Sequence, residues 1–555
     1  PTSAQAWPKT NVKVALFYRY SGRICSKYTI ISFSFLFDQK WRLRYLISLD
    51  IFLSLLFFVD IVYSRAYGHP ISFYMIIAKG VTDGMGDSIT SLFKWQDILL
   101  IIDLPILFAQ LRGSNSKTIL KKNLIFFLFL FVISSLVVVN QFLNIQNKKA
   151  LNNIRTMPIL MSPLGYHMYD IYKFIYEKNE ILSYEDVVKV KNWMDENHKY
   201  LEVDQRYSYL KGALKGKNIV IIQVESLENI IIGRSYQEQE ITPNINNLVR
   251  KSIYFDSICE QVKDGNSSDA ELLFNTSLYP IDTGSSFIRF ADNTYKSLPA
   301  LLKKQGYTSI AIHGDEKGFW NRDRAFKSIG FDRYISEEQF EFKETEGMGI
   351  LDEDLFKQSL LEIDKLKQPF NFFAITITSH MPFDLSENFR SLDLKGDEYT
   401  IGYLQSLHYT DQAFGYFYDK LEEKGYLENT ALIIYGDHEG IHKYYSTDIP
   451  ENNEEVPFII YVPGMEGKVI ETEGGQVDMM PTLAYLLGID EHEYSDSVMG
   501  RNLFGNQGSA ILSNGEINGQ SSGSAHLSEA QEIANIIIKG NYFQYTDINS
   551  AAGTD

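Results

Sequence analysis

NIVIIQV, residues 218–224, carries apolar side chains on both parities of the chain and runs straight into Glu225. A half-buried strand alternates apolar with polar positions, whereas a run apolar on both faces belongs inside a sheet covered from both sides. Four further runs share this character: SIAI (309–312), FNFFAITI (370–377), ALIIY (431–435) and FIIYV (458–462). Polar clusters and helical segments separate them. Leu407, Phe414, Phe417 and Leu421 recur at spacings of 7, 3 and 4, one face of an amphipathic helix. Buried strands alternating with helices predict an α/β domain with a central, mostly parallel sheet.

In open α/β sheets, ligands gather beyond the carboxyl ends of the strands. Four of the five runs end in residues able to bind metal or phosphate: Glu225 after the first, His313 and Asp315 after the second, His380 after the third, Asp437 and His438 after the fourth. Singly, each has a plain reading as a strand-end hydrogen bonder or a turn. Their shared location makes them candidates for one site. Two hard carboxylates, Glu225 and Asp437, with the imidazole of His438 form a mixed oxygen and nitrogen set suited to a divalent cation.

DGNSSDAELLFNTSLYP, residues 264–280, lies between the first two runs. Its small residues Gly265, Asn266, Ser267 and Ser268 can act as an ordinary helix cap. They can also place a hydroxyl at a helix N-terminus, where backbone N–H groups and the dipole favour a phosphate or an alkoxide. Serine is a weak nucleophile unless a base or a metal lowers its pKa. No Ser-His-Asp spacing or G-x-S-x-G elbow appears nearby, so metal activation is the expected route.

Residues 123–147, NLIFFLFLFVISSLVVVNQFLNIQN, hold no charge. A helix of that length rises about 37 Å against a hydrocarbon core of about 30 Å. Tyr45–Ser64, with Asp50 and Asp60, and the weaker Ile98–Leu111, with Asp103 and Pro105, are further membrane stretches. Their acids are expected to face neighbouring helices. Lys40, Arg42 and Arg44, and the loop residues Arg112, Lys117, Lys121 and Lys122, place both basic segments in the cytoplasm. The expected arrangement is a multi-pass cell-membrane protein with everything after about Lys148 outside the cell. Tyr28–Phe37 is read as the tail of an earlier span, with the sequence beginning inside a longer membrane domain. Three parts follow: a transmembrane helical domain at 1–147, a helical linker at 148–215 containing the capping-box spacing Ser183 to Asp186, and a catalytic domain at 216–555.

With 555 residues the chain exceeds one core. Its mean hydropathy of −0.16 averages over an apolar first quarter and a polar remainder. The net charge of −18 argues against nucleic acid as a partner, since phosphate backbones demand clustered Lys and Arg. Two cysteines, Cys25 and Cys259, allow neither a disulfide framework nor a CxxC metal site.

VES (224–226), GNSSDAE (265–271), DNTYKSLPALL (292–302), HGDEKGFWNRD (313–323), TSHMPF (378–383), YGDHEGI (435–441) and GQVDMMPT (475–482) together resemble the lipoteichoic acid synthase family, in the sulfatase-like branch of the alkaline phosphatase superfamily. The resemblance implies an N-terminal bundle, usually of five spans, an extracellular sulfatase-like domain, and manganese. It implies metal ligation by Glu225, Asp437 and His438 with the nucleophile Ser267 completing the set. It also implies that His313, Asp315, Trp320, Arg322 and His380 line a pocket for a glycerophosphate head group, with Arg gripping phosphate bidentately and two histidines donating to its other oxygens. The implied reaction moves glycerophosphate from phosphatidylglycerol to a glycolipid or growing polyglycerophosphate acceptor at the membrane. The best-known members carry threonine at the position of Ser267 and a lysine-like residue at that of Asn266.

An arylsulfatase would need C/S-x-P-x-R, and Ser267 is followed by Ser268, Asp269, Ala270 and Glu271. A phosphoethanolamine transferase would be expected to carry several disulfides. A phosphoglycerol transferase with another acceptor fits the same residues. A surface receptor that keeps the fold without catalysis is the alternative of a different class.

Overall fold

The computed structural model describes residues 29–67, 69–77, 91–100, 102, 105, 120–146, 163–177, 182–505, 508–519 and 524–552. Residues 1–28, Asp103, the basic loop at Arg112 and Lys117, and residues 148–162 and 178–181 of the expected linker lie outside them. The chain divides into two compact units, one of residues 1–77 and 89–179, the other of 180–555 with 78–88.

The first unit is helical. Helix α1 (Gln39–Tyr67) contains Trp41–Arg65, a 25-residue stretch of mean hydropathy 2.2, long and apolar enough to cross a membrane. Helix α2 (Leu120–Gln146) covers the uncharged run, and the Phe33 ring packs on Phe127 and Phe131 at 5.4 and 5.5 Å. Asp60, buried on α1, pairs at 2.9 Å with His167 of α3 (Pro163–Glu177), so this acid does face a neighbouring helix.

In the second unit, α4 (Tyr184–Asn197) starts at Ser183 with the expected capping box: Ser183 Oγ accepts from the Asp186 N–H at 3.1 Å, and Asp186 accepts from the Ser183 N–H at 3.0 Å. Its Val190, Trp193 and Met194 enter the main core. A nine-stranded sheet follows, made of β1 (Asn218–Val224), β2 (Ser252–Cys259), β3 (Thr308–His313), β4 (Arg333–Ile335), β5 (Phe370–Ile375), β6 (Thr430–Gly436), β7 (Glu455–Tyr461), β8 (Lys468–Ile470) and β9 (Gly474–Gly475). The order is β8-β2-β7-β6-β1-β5-β3-β4, with β9 also on β2. β7 runs antiparallel to both its neighbours, and every other pairing is parallel. All five apolar runs are strands. β2 is absent from that reading because Asp256 and Ser257 interrupt its apolar stretch, where its burial also breaks. Helices α5 (Ser267–Thr276), α6 (Arg322–Ile329) and α7 (Glu398–Glu423) belong to this unit. Leu407, Phe414, Phe417 and Leu421 of α7 are all buried, as their spacing requires.

Candidate active site and metal centre

Parallel pairing builds the site. Val224 of β1 lies opposite Gly436 of β6, so Glu225 and Asp437 leave the sheet together. On the other side of β1, Gln223 lies opposite Ile375 of β5, and Ile375 lies opposite His313 of β3. One end of the sheet thus carries Glu225, His313, Asp437 and His438. The fifth run, β7, contributes no site residue because it runs the other way. Gly436 has to be glycine, since a Cβ there would overlap the Leu227 carbonyl.

Glu225, Asp437 and His438 are buried, and their ligand atoms all lie within 4.8 Å of one another. Asp437 Oδ1 accepts the N–H groups of Ser226 and His438 at 2.7 and 2.8 Å, while Oδ2 is buried with no hydrogen-bond partner among the described residues. His438 donates from Nδ1 to the Glu439 carbonyl at 2.7 Å. That bond fixes the tautomer and leaves the Nε2 lone pair free, 3.4 Å from Glu225 Oε1 and 3.5 Å from Asp437 Oδ2. Burial, reinforced by the facing Asp437, pushes the Glu225 carboxyl well up, and burial raises Asp437 also. Burial and the Lys443 charge push His438 down to about 3. Two crowded buried carboxylates, one with an orphaned oxygen, beside a neutral imidazole fit a divalent cation, which relieves their repulsion and their desolvation.

Ser267 opens α5, and its Oγ donates to Glu225 Oε2 at 3.1 Å and lies 3.4 Å from His438 Nε2. Ser268 turns elsewhere, donating to the Gly265 carbonyl at 2.7 Å and meeting Ser285 Oγ at 3.2 Å. Before them Asn266 holds φ +46°, with its amide clamped between Lys443 Nζ at 2.5 Å and the Tyr444 hydroxyl at 3.4 Å.

The proposed pocket residues behave differently from one another. Arg322, 1% exposed, binds Glu271 through Nε and Nη2 at 2.9 and 2.7 Å. Its charge helps to hold His313 and His380 below the ordinary imidazole range, with burial the larger cause for both. His313 donates from Nδ1 to the Ile375 carbonyl at 2.9 Å, and His380 from Nδ1 to the Met381 carbonyl at 2.6 Å. In the neutral ring Nε2 is therefore an acceptor, and the protonated ring donates from it. Asp315 accepts the Glu316 N–H at 2.7 Å, keeps its other oxygen buried, and is pushed up to about 6 by burial. Trp320 is buried edge-on against Phe319, ring centroids 5.6 Å apart.

Glu271 and Lys443 were not singled out in the sequence. Glu271 sits inside the GNSSDAE motif, one helical turn after Ser267, and that spacing is its signal in the sequence. Five non-glycine residues at positive φ border the site: Ser226 (+57°), Asn266 (+46°), Trp320 (+56°), Asn321 (+56°) and Phe383 (+66°). Such conformations cost of order 1–3 kcal/mol each and cluster where function over-determines them.

Residues 217–489 match the sulfatase family model, and residues 13–181 match the model of the lipoteichoic acid synthase N-terminal domain. The chain is 32% identical over 473 residues to lipoteichoic acid synthase 1 of Bacillus subtilis, covering 80% of this chain and 73% of that protein. It is 30% identical over 499 residues to the lipoteichoic acid synthase of Staphylococcus saprophyticus, covering 84% and 76%. Among solved structures, the lipoteichoic acid synthase LtaP from Listeria monocytogenes superposes with a TM-score of 0.55 at 26% identity, over 64% of this chain and 98% of that one. Helix α1 associates the chain with a membrane.

Proposed function

Since the chain belongs to the lipoteichoic acid synthase family, we propose that it transfers glycerophosphate from phosphatidylglycerol to an acceptor hydroxyl outside the membrane, through Ser267. The observation that carries this reading is the Ser267 hydroxyl at a helix N-terminus, 3.1 Å from Glu225 and 3.4 Å from His438. Glu225, Asp437 and His438, with Ser267 Oγ, would hold a divalent cation, for which the family resemblance favours manganese. When bound, such an ion lowers the pKa of a hydroxyl and offsets phosphoryl charge.

Ser267 Oγ forms a bond to phosphorus as the bond from phosphorus to the diacylglycerol oxygen breaks. The proton that Ser267 loses is the one with which diacylglycerol leaves, so the step balances. The acceptor hydroxyl then attacks the glycerophosphoryl-serine, and its proton returns to Ser267. Arg322 neutralises charge on the transferring group, and the Nε2 lone pairs of His313 and His380 suit glycerol or acceptor hydroxyls better than anionic oxygens. Asp315 and Trp320 complete the head-group pocket. A multi-pass membrane domain at 1–147 and a linker at 148–215 would keep the 216–555 domain on the outer face, at the plane of its lipid. The acceptor is a glycolipid or a growing polyglycerophosphate chain.

The test is incubation of the full chain in vesicles with fluorescent phosphatidylglycerol and candidate acceptors, with mass analysis of both products. Diacylglycerol and a glycerophosphate-extended acceptor are expected. Release of phosphatidic acid, or no turnover with any divalent metal, would sink the reading.

A further inference from the structure

The Arg322 guanidinium is used on one side only. Glu271 takes Nε and Nη2, and Nη1 is buried with no hydrogen-bond partner among the described residues. A bridge whose sole task was to tie α6 to α5 would not leave a charged donor bare at a residue 1% exposed, because a buried N–H without a partner is costly. The bare nitrogen asks for an anionic oxygen. Glu271, itself 0% exposed, sits one turn after Ser267 on α5, and residues four apart on a helix lie roughly 6 Å from each other on the same face.

We infer that Glu271 is the positioning residue that aims Arg322 Nη1 at the phosphoryl group attacked by Ser267. The inference rests on the phosphoglycerol-transfer reading above. One rigid helix then fixes both the attacking oxygen and, through the carboxylate, the cationic grip. Nε and Nη2 both donate to Oε1, and Nε reaches Oε2 at 3.2 Å, which fixes the guanidinium plane, and the Glu271 charge cancels that of Arg322 in the absence of ligand. Arg322 acts at short range, as a directed donor and not as a diffuse attractor of anions.

The test uses the full chain in detergent micelles, with glycerol phosphate and inorganic phosphate as calorimetric probes beside phosphatidylglycerol turnover. Glu271→Asp keeps the charge but withdraws the carboxylate by one methylene. It should bind both probes about tenfold more weakly or worse, with metal content unchanged. Arg322→Lys should show a similar loss, and the double variant Glu271→Asp/Arg322→Lys should be no worse than Arg322→Lys alone, since Glu271 acts through Arg322. Parent-like affinity in Glu271→Asp, or losses that multiply in the double variant, would overturn the positioning role. If Glu271→Asp does not fold, Glu271→Leu, which fills similar space and offers no acceptor oxygen, takes its place with the same two outcomes. Phosphate binding that depends on Glu271 without diacylglycerol release would overturn the lipid reading alone. Lipid turnover indifferent to Glu271 would overturn the positioning role alone.

Discussion

Ser268 donates its hydroxyl to the carbonyl of Gly265 at 2.7 Å, and this bond decides which of two adjacent serines is free to act. Ser267→Ala is expected to lose at least about 10³-fold in turnover, because metal and positioning alone supply only part of an enzyme's acceleration. Ser267→Thr keeps a hydroxyl and should remain active, though its extra methyl needs room beside Glu225 and His438. Ser268→Ala should cost about 1–2 kcal/mol of stability and leave turnover near that of the parent. Peptide mapping of trapped protein should find the added glycerophosphate mass on Ser267; finding it on Ser268 would move the nucleophile by one residue.

Replacing Asp437 removes the one ligand whose free oxygen is already buried and orphaned. Asp437→Ala, Glu225→Ala and His438→Ala should lose metal content and lipid turnover together, measured by elemental analysis and diacylglycerol release. For the parent protein, chelation should lower the unfolding midpoint, since a ligand at a hundredfold excess over its Kd contributes roughly 3 kcal/mol. A variant that keeps both metal and turnover would remove that residue from the ligand set.

Acid should destabilise the second unit through His526. Its ring stacks on Trp193 with centroids 4.1 Å apart, Nε2 meets Asn197 Oδ1 at 3.0 Å, and Nδ1 lies 3.8 Å from Glu196. Burial, helped by Lys199 and Arg501 against the opposing Glu196, pushes this imidazole down to about 4. The unfolded chain protonates near 6.5, so it binds more protons than the folded one between those values. The stabilisation is present above about pH 6.5 and is lost as pH falls toward 4. His526→Phe keeps the stacking and should flatten the pH dependence of the unfolding midpoint over that window. An unchanged slope would assign it to other groups.

Orientation in the membrane is open to a labelling test. In a Cys25→Ser background, with Cys259 buried, Asn388→Cys on the exposed surface should react with an impermeant thiol reagent on intact cells, and Ser116→Cys should not. The opposite pattern would put the catalytic unit inside and exclude an outer-leaflet substrate.

Strands and their ligating ends were legible in the sequence because burial on both faces writes a continuous apolar run, and because parallel strands deliver their last residues to one edge. Glu225, Asp437 and His438 are candidates on that ground, and the structure brings their ligand atoms within 4.8 Å of one another. Direction was not legible: FIIYV at 458–462 has the same composition whether it runs with the sheet or against it. β2 escaped because its ends are buried while Asp256 and Ser257 are partly exposed. Side-chain partnerships lay further out of reach. Arg322 could be read as a phosphate grip, but its bond to Glu271 spans 51 positions and arises only when α5 and α6 pack. The histidine tautomers depend on the carbonyls of Ile375, Met381 and Glu439, which no sequence pattern encodes.

The left-handed backbones at Ser226, Asn266, Trp320, Asn321 and Phe383 set the chain's durability against its activity. Glycine at Asn266 or Asn321 would relax the main chain, whereas at the buried Trp320 or Phe383 it would open a cavity that costs about 3–5 kcal/mol. At Asn266 it would also erase the amide that Lys443 and Tyr444 hold and loosen the turn into Ser267. Directed evolution screened on heat resistance alone would therefore be drawn to glycine at Asn266 and Asn321, beside the site, so such a campaign should score product formation in every round.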